Sequence, residues 1–397
     1  MLYIALRMLT ADRAKYTGLL LGIAFTAFLV SFAASYLSGF MTRGFALIAE
    51  NGAADVWVMD AAVQSVEQTI NMPDSALARI RSVEGVRYAV PLALGAVNAR
   101  FPNGRFQTFQ VIGVDDATLV GAPRLKDGGI PLLLHAPDAV VVDSGGTSGK
   151  LLTPALKGDQ WPPDGVHLGV LMRELAVGDE LLANDRRIKV VGRSKTLPRF
   201  PPRPLLYTTY TNAARILTQE RHRLTFVLAR GQAGLSPEML ARRIHRRTGL
   251  RARSAENFKR DTVFWYLVNS EDVGDMTAML TLAMTIGFGV TGILLYLFTY
   301  ENLKQYAVLN AMGATPRVLL TMIFMQAGVC ALIGTGIGIG ACGLVGKVVA
   351  IEGYPFRMMW FAPLLGVVGV FLVSLTAAAI SARPVLKLQP AVVFQGR

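Results

Sequence analysis

Cysteine is nearly absent from this chain: 397 residues contain two, and both, Cys330 and Cys342, fall in one apolar stretch. On one helix they would stand about 18 Å apart, too far for a mutual disulfide, so both are expected to be small packing residues. The long polar segment between Met41 and Asp275 has no thiol. That excludes a disulfide scaffold there and is compatible with an oxidising compartment. Histidine is also scarce: His135, His167, His222 and His245 are scattered without metal-ligand spacing, so no metal site is expected. Charge is low, with 17% of residues charged and 52% hydrophobic, where soluble domains carry about 25% charge. Met276–Tyr300 and Phe361–Ile380 hold no Asp, Glu, Lys, Arg or His. In a further apolar stretch Lys347 sits near one end, where it can snorkel to an interface. Carriers driven by protons or ions keep ionisable groups at the midplane of the membrane. This chain is not expected to be one.

Motifs for catalysis are missing too. Gly145-Gly-Thr-Ser-Gly-Lys150 resembles a phosphate loop in composition, but Ser144 and Leu151 stand where glycine and a hydroxyl residue are required. A surface loop is the expectation. Ser148 lacks the nucleophile-elbow context, since Lys150 takes the place of its closing glycine. The pairs Asp115-Asp116 and Glu271-Asp272 are adjacent in sequence and read as solvated surface. No catalytic residue and no bound cofactor is expected. The net charge is +13, yet nucleic acid is not the expected partner, because membrane proteins gather Lys and Arg to set their orientation. The one basic cluster, Arg242, Arg243, Arg246, Arg247, Arg251 and Arg253, follows the helix-start signal Ser236-Pro237-Glu238. It reads as a solvated face, with anionic headgroups or a partner protein as the alternative.

What the chain does have is four apolar stretches, each with roughly the 20 residues a membrane-spanning helix requires. They fall at 17–40, 276–300, 318–350 and 361–381. This 1 + 3 spacing places 41–275 as one large polar insert between the first and second. Arg7, Arg13 and Lys15 precede the first span, Lys304 and Arg317 lie between the second and third, and Arg383, Lys387 and Arg397 follow the last. With four spans all these share one side, which the positive-inside rule makes cytoplasmic; the insert then faces outward. The first stretch is longer than a signal-peptide core, and Ala33-Ala34-Ser35 is a poor cleavage site, so an uncleaved helix is expected. Residues 1–16 are cytoplasmic, with Leu2–Leu9 a short amphipathic helix at the surface. A cytoplasmic connection at 301–317, an outer loop at 351–360 and a cytoplasmic tail at 382–397 complete the layout.

The insert reads as mixed α+β. Strands are expected at Asp55–Met59, Val86–Ala99, Phe106–Val114, Ala139–Asp143 and Leu224–Leu228, and a helix at Pro73–Ile80. Val177–Leu182 and Arg187–Val191 flank Asn184-Asp185 as a β-hairpin. Residues 136–223 are expected to form an insertion, giving two subdomains. Helical stalks are expected to prolong the spans outward at Arg43–Glu50 and Glu256–Asp275.

Two short patterns remain. Gly334/Gly338 and Gly336/Gly340 are small-x-x-x-small pairs that let helix backbones approach closely in lipid. Packing within the chain and a dimer seam both stay open for them. Between the second and third spans runs Tyr300-Glu-Asn-Leu-Lys-Gln-Tyr-Ala-Val-Leu-Asn-Ala-Met-Gly-Ala-Thr-Pro316, in which Leu303, Ala307, Val308 and Ala311 fall on one helical face and Gly313 ends the helix. This resembles the E-I-A-V-L-R-A-L-G-A-T loop of FtsX/MacB-type ABC transporter permeases. The ending Arg383-Pro-Val-Leu-Lys-Leu-Gln-Pro-Ala-Val-Val-Phe394 is similar to that family's closing motif. Gln305 and Asn310 stand where the family has Glu and Arg. With Tyr306-Ala-Val-Leu309 they look closer to the DevC-like exporter branch.

The resemblance implies an α-helical membrane protein with four transmembrane helices and a MacB-like periplasmic α+β domain, in the bacterial inner membrane. It implies a non-catalytic, homodimeric permease working by mechanotransmission, driven by a separate cytoplasmic ABC ATPase that binds the ATP. It assigns the ATPase contact to Leu303, Lys304, Tyr306, Ala307, Leu309, Asn310, Met312, Gly313 and Thr315. A periplasmic adaptor and an outer-membrane channel are open as further partners. An FtsX-like regulator of periplasmic enzymes and a membrane-anchored periplasmic enzyme are the alternatives.

Overall fold

The structure is a computed structural model, which describes residues 2–126, 128–163, 165–217 and 224–386. Its chain divides into two compact units, one of residues 1–40 with 270–397 and one of residues 41–269.

The chain opens with helix α1 (Leu2–Ala11), followed by α2 (Arg13–Gly44) and the short α3 (Ala46–Glu50). Asp12 separates the first two because its Oδ1 accepts the amides of Ala14 and Lys15 (3.1 and 3.2 Å), starting α2 afresh. α1 has the expected amphipathic character: Ala5 and Leu9 are buried, while Tyr3 is exposed beneath the Arg7 guanidinium (5.1 Å).

In the second unit the elements run β1 (Val56–Met59), α4 (Ser75–Arg81), β2 (Val86–Arg100), β3 (Phe106–Val114), β4 (Ala139–Asp143), β5 (Leu152–Pro154), β6 (Met172–Glu174), β7 (Glu180–Ala183), β8 (Arg186–Arg193), β9 (Leu205–Thr209), α5 (Tyr210–Ile216), β10 (Phe226–Gly231), α6 (Pro237–Thr248), β11 (Arg251–Ser254) and α7 (Ala255–Asn269). Among the described residues nine strands form one sheet in the order β11-β1-β10-β2-β3-β9-β4-β8-β7, and β7 returns to pair with β2. Six strands therefore close a ring, and four form an open sheet that shares β2 with it. At about 3.3 Å per residue, β2 is long enough to serve both: Val86–Leu92 pairs with β10, and Ala93–Arg100 with β3.

This corrects the expected two-subdomain division. The described residues of 136–223 do not stand apart. Their strands β4, β7, β8 and β9 close the ring with β2 and β3 around Val97, Phe101, Phe109, Val140, Ile188 and Leu206. The β7–β8 hairpin turns at Asn184 and Asp185, both with positive φ, as a two-residue loop of the right twist demands. On one face of the open sheet α4 and α6 bury Ile80, Leu240 and Ile244 against Val56, Val58 and Val227. On the other, Trp57 meets Phe226 and Phe258 of α7 at 5.4 and 5.8 Å. Ser236 Oγ caps α6 by accepting the Met239 amide. Arg242, Arg246 and Arg247 are solvated, as expected, but Arg251 and Arg253 instead share Asp261 (both 2.7 Å).

The ring also carries an acid-sensitive clamp. Arg173 holds Asp179 through two bonds of 2.6 Å. Burial alone would raise the Asp179 carboxyl, but Arg173 and the Ala176 amide outweigh it and hold it below its ordinary 3.8. Its stabilisation is thus present above that value and lost as pH falls through the depressed one. Asp179→Asn is expected to flatten the acid limb of thermal stability below about pH 4 while leaving the limb above pH 6 unchanged in slope, read by unfolding temperature against pH.

The remaining helices are α8 (Glu271–Glu301), α9 (Leu303–Ala311), α10 (Pro316–Ile351) and α11 (Phe361–Leu386). α2, α8, α10 and α11 are long and apolar enough to span a membrane. They are held by close approach and by hydroxyls, as lipid-embedded helices require. A Cβ on Gly334 would lie 2.6 Å from Ile23 Cγ2, and one on Gly338 would collide with the Ala24 carbonyl and Ala27. Thr26 donates to the Gly287 carbonyl (2.8 Å) and accepts from Thr291 (2.9 Å), tying α2 to α8. Cys330 and Cys342 are buried in α10.

The expected stalks are not continuous with the spans. α2 stops at Gly44, with Phe45 at φ −105°, ψ 17° before α3. α7 ends at Asn269, and Ser270 is extended (φ −99°, ψ 120°) before α8. Glu271 and Asp272 favour a fresh helix start there, because negative charge is stabilising at an N-terminus.

Candidate functional site

The candidate contact is α9, a helix of nine residues set between two long ones. α8 ends where the Asn302 side chain turns back to donate to the Phe298 carbonyl (2.7 Å). α9 ends at Gly313, whose φ of +95° only glycine adopts without strain. The Ala314 amide then closes on the Leu309 carbonyl (3.0 Å), and Pro316 opens α10.

Two of the nine sequence-assigned contact residues face the wrong way. Tyr306 is fully buried and Ala307 is 1% exposed, both packed into the helical core. They anchor α9 and cannot meet a partner. The tyrosine hydroxyl donates to Gln326 Oε1 of α10 (2.6 Å), and Gln326 Nε2 donates to the Ala5 carbonyl of α1 (2.8 Å). Burial pushes the phenol's pKa up, against the smaller pull of the Gln326 bond, so it remains a donor. Leu303 and Leu309 are half-buried against the same core, and Asn310 is half-buried. Lys304, Val308, Met312, Gly313 and Thr315 are exposed, with Met312 70% accessible. The surface that remains is thus an apolar knob, Val308 and Met312, flanked by Lys304. Sequence reasoning missed Gln326, the polar member of α10 that fixes the knob's direction; a buried glutamine in an apolar run was its only signal.

Of the four glycines, Gly334 and Gly338 pack within the chain against α2. Among the described residues, a Cβ on Gly336 or Gly340 would meet nothing within 4 Å, and both lie on an exposed face. The two pairs therefore play different parts. Among the described residues no group of three His, Cys, Asp or Glu converges. The His167 amide donates to the Asn103 carbonyl and Asn103 Nδ2 donates to the His167 carbonyl, and His222 lies outside the described residues. So does most of the ending motif, from position 387 onward.

Residues 277–390, which contain α9, α10 and most of α8, match the FtsX-like permease C-terminal family, a stretch covering less than half of the chain. No curated protein matches at a significant level. Among solved structures, the periplasmic region of MacB from Actinobacillus actinomycetemcomitans is similar at 12% identity, with 52% of this chain and 90% of that one covered and a TM-score of 0.35. The extracellular domain of the noncanonic ABC-type transporter YknZ from Gram-positive bacteria is similar at 11% identity over 51% of this chain and 99% of that one, with a TM-score of 0.32.

Proposed function

We propose, from the premise that residues 277–390 form an FtsX-like permease C-terminal domain, that the chain is the membrane subunit of an ABC-type transporter. Two copies in a bacterial inner membrane receive two copies of a separate cytoplasmic ATPase. The domain at 41–269 stands in the periplasm and answers the motor by changing shape, driving export or extraction of a substrate with an adaptor. The chain itself performs no chemistry.

The observation that carries this reading is the setting of α9. An exposed apolar knob on a free-standing helix would be a liability. Here it is braced from behind by the Tyr306–Gln326–Ala5 relay, so a push on Val308 and Met312 passes into α10 and α1 and is not absorbed locally. Packed elements move as rigid bodies.

Met312→Asp and Val308→Asp test it without touching the core. Each is expected to weaken recruitment of the ATPase by about tenfold or more, near 1.4 kcal/mol, because a charge is forced into an apolar contact. Co-purification of the full-length chain with the ATPase measures the loss; undiminished recruitment by both variants would refute the placement. Ala307→Asp is unsuitable, since it buries a charge in the bundle and confounds binding with folding.

A further inference from the structure

One segment of the 41–269 unit joins parts that the sheet does not: residues 194–204, between β8 and β9. At its start Ser194 Oγ and the Thr196 amide both donate to Asp143 Oδ2 at the end of β4 (2.8 Å each). The Arg199 amide donates to the Gly145 carbonyl (3.0 Å). Gly145 and Gly146 are needed because the segment crosses directly over them: a Cβ on Gly146 would lie 2.7 Å from Pro198 Cβ, and one on Gly145 would strike the Arg203 carbonyl. The glycine run that mimics a phosphate loop is thus a seat for this strap.

The strap's other side grips the helices next in sequence to the apolar ones. Glu50, the last residue of α3, accepts the Leu197 amide and the Arg199 guanidinium on separate oxygens. Arg203 pairs with Glu67 of the loop between β1 and α4, where the neighbouring Val66 amide donates to Thr262 Oγ1 of α7 (3.3 Å). Tyr266 of α7 donates its hydroxyl to the Phe200 carbonyl (3.1 Å), its ring 5.6 Å from that of Phe200. The ring of Tyr266 also lies against Gly44, where a Cβ would approach to 2.6 Å.

Arg199 is only 5% exposed, yet its Nε and Nη1 have no partner among the described residues. Nη2 alone serves both Glu50 and the Tyr207 hydroxyl of β9 (2.9 Å). A buried guanidinium left two-thirds unsatisfied is a poor way to gain stability, since apolar residues of similar volume would do as well or better. Its geometry fixes a position instead.

We infer that residues 194–204 are a strut that carries displacement of α3 and α7 into the six-stranded ring, with Arg199–Glu50 and Arg203–Glu67 as its anchors. The inference deepens the transporter reading by naming the route, and it rests on that reading for its purpose but not for its test. Glu50, Arg199, Tyr207 and Asp143 meet at one anchor and Glu67, Arg203 and Tyr266 at the other, so both ends of the strut join different layers of the unit.

The test is a cycle of substitutions in the full-length chain, read by amide hydrogen exchange in detergent micelles. Gly44→Ala forces Tyr266 aside at the foot of α7. In the otherwise native chain it is expected to speed exchange at 194–204, and in β4 and β9, by roughly tenfold, leaving α6 untouched. In the Arg199→Met/Glu50→Leu background, where that anchor is apolar, the same change should no longer reach β4 and β9. Equal transmission in both backgrounds, or none in the native one, overturns the strut. Should the double variant fail to fold, Tyr266→Phe, which removes only the hydroxyl held to Phe200, is expected to blunt the same transmission; full transmission through it counts against the strut. No ATPase enters the measurement, so its outcome is separate from that of the recruitment experiment.

Discussion

Gly338→Val is expected to destroy the helical bundle, while Gly336→Val, two residues away, leaves it standing. At Gly338 the added atoms meet the backbone carbonyl of Ala24 and the Cβ of Ala27 at 2.8 Å. Neither is the flexible end of a side chain. Overpacking of a rigid contact costs about 1–3 kcal/mol when neighbours can yield and more when they cannot, so a loss above about 3 kcal/mol is expected here. At Gly336 a Cβ meets open space, and the change should stay within about 0.5 kcal/mol. Unfolding temperature and the monodisperse fraction on gel filtration distinguish the two. Gly336→Val has a second use. A halved particle mass with an unchanged unfolding temperature would place a contact between copies on the exposed glycines of α10.

The second large effect is at Arg199. Removing the guanidinium alone, in Arg199→Met, strands the Glu50 carboxylate in a site where Arg199 is its charged partner. Breaking a buried pair from one side costs about 3–5 kcal/mol, whereas replacing both members by apolar groups is often neutral or better. Arg199→Met/Glu50→Leu should therefore recover most of the stability that Arg199→Met loses. The loss should also depend on pH. Burial pushes the Glu50 carboxyl above its ordinary 4.5, against the pull of Arg199 and the Leu197 amide. A raised folded pKa means that stability is fully present below 4.5 and declines as pH rises through the raised value. With Arg199 gone one of the opposing pulls disappears, so the single variant should suffer least near pH 4.5 and most above neutrality. Urea unfolding of the full-length chain at several pH values measures this; a deficit of equal size across that range would count against a stranded carboxylate.

Much of the architecture was legible because it is local. The four apolar runs, the Gly313 stop, the Ser236 cap and the Asn184-Asp185 turn each depend on neighbours within a few residues, and chain chemistry decides them. What stayed hidden depends on partners far apart in sequence. The return of β7 to β2 joins Leu182 to Arg100, and alternation along either strand is silent about which edge it will find. The strut is similar: Glu50 and Arg199 are 149 residues apart, and an acidic residue at a helix end looks like any solvated one. On α9 the face expected from Leu303, Ala307, Val308 and Ala311 is split, with Ala307 buried and Val308 and Ala311 exposed, so the apolar pattern did not say which side was inward. Tyr306 decided that, since an aromatic ring with a polar tip can be buried once Gln326 is there to meet the tip.

The Gln326 amide has one more consequence. It grips α1 through the main-chain oxygen of Ala5, an atom every amino acid supplies. The leading helix is therefore held at that point by its backbone, and substitutions of its exposed Tyr3 and Arg7 that keep it coiled should pass unnoticed. A proline at position 5 would bend the helix, shift that oxygen and free the distant knob.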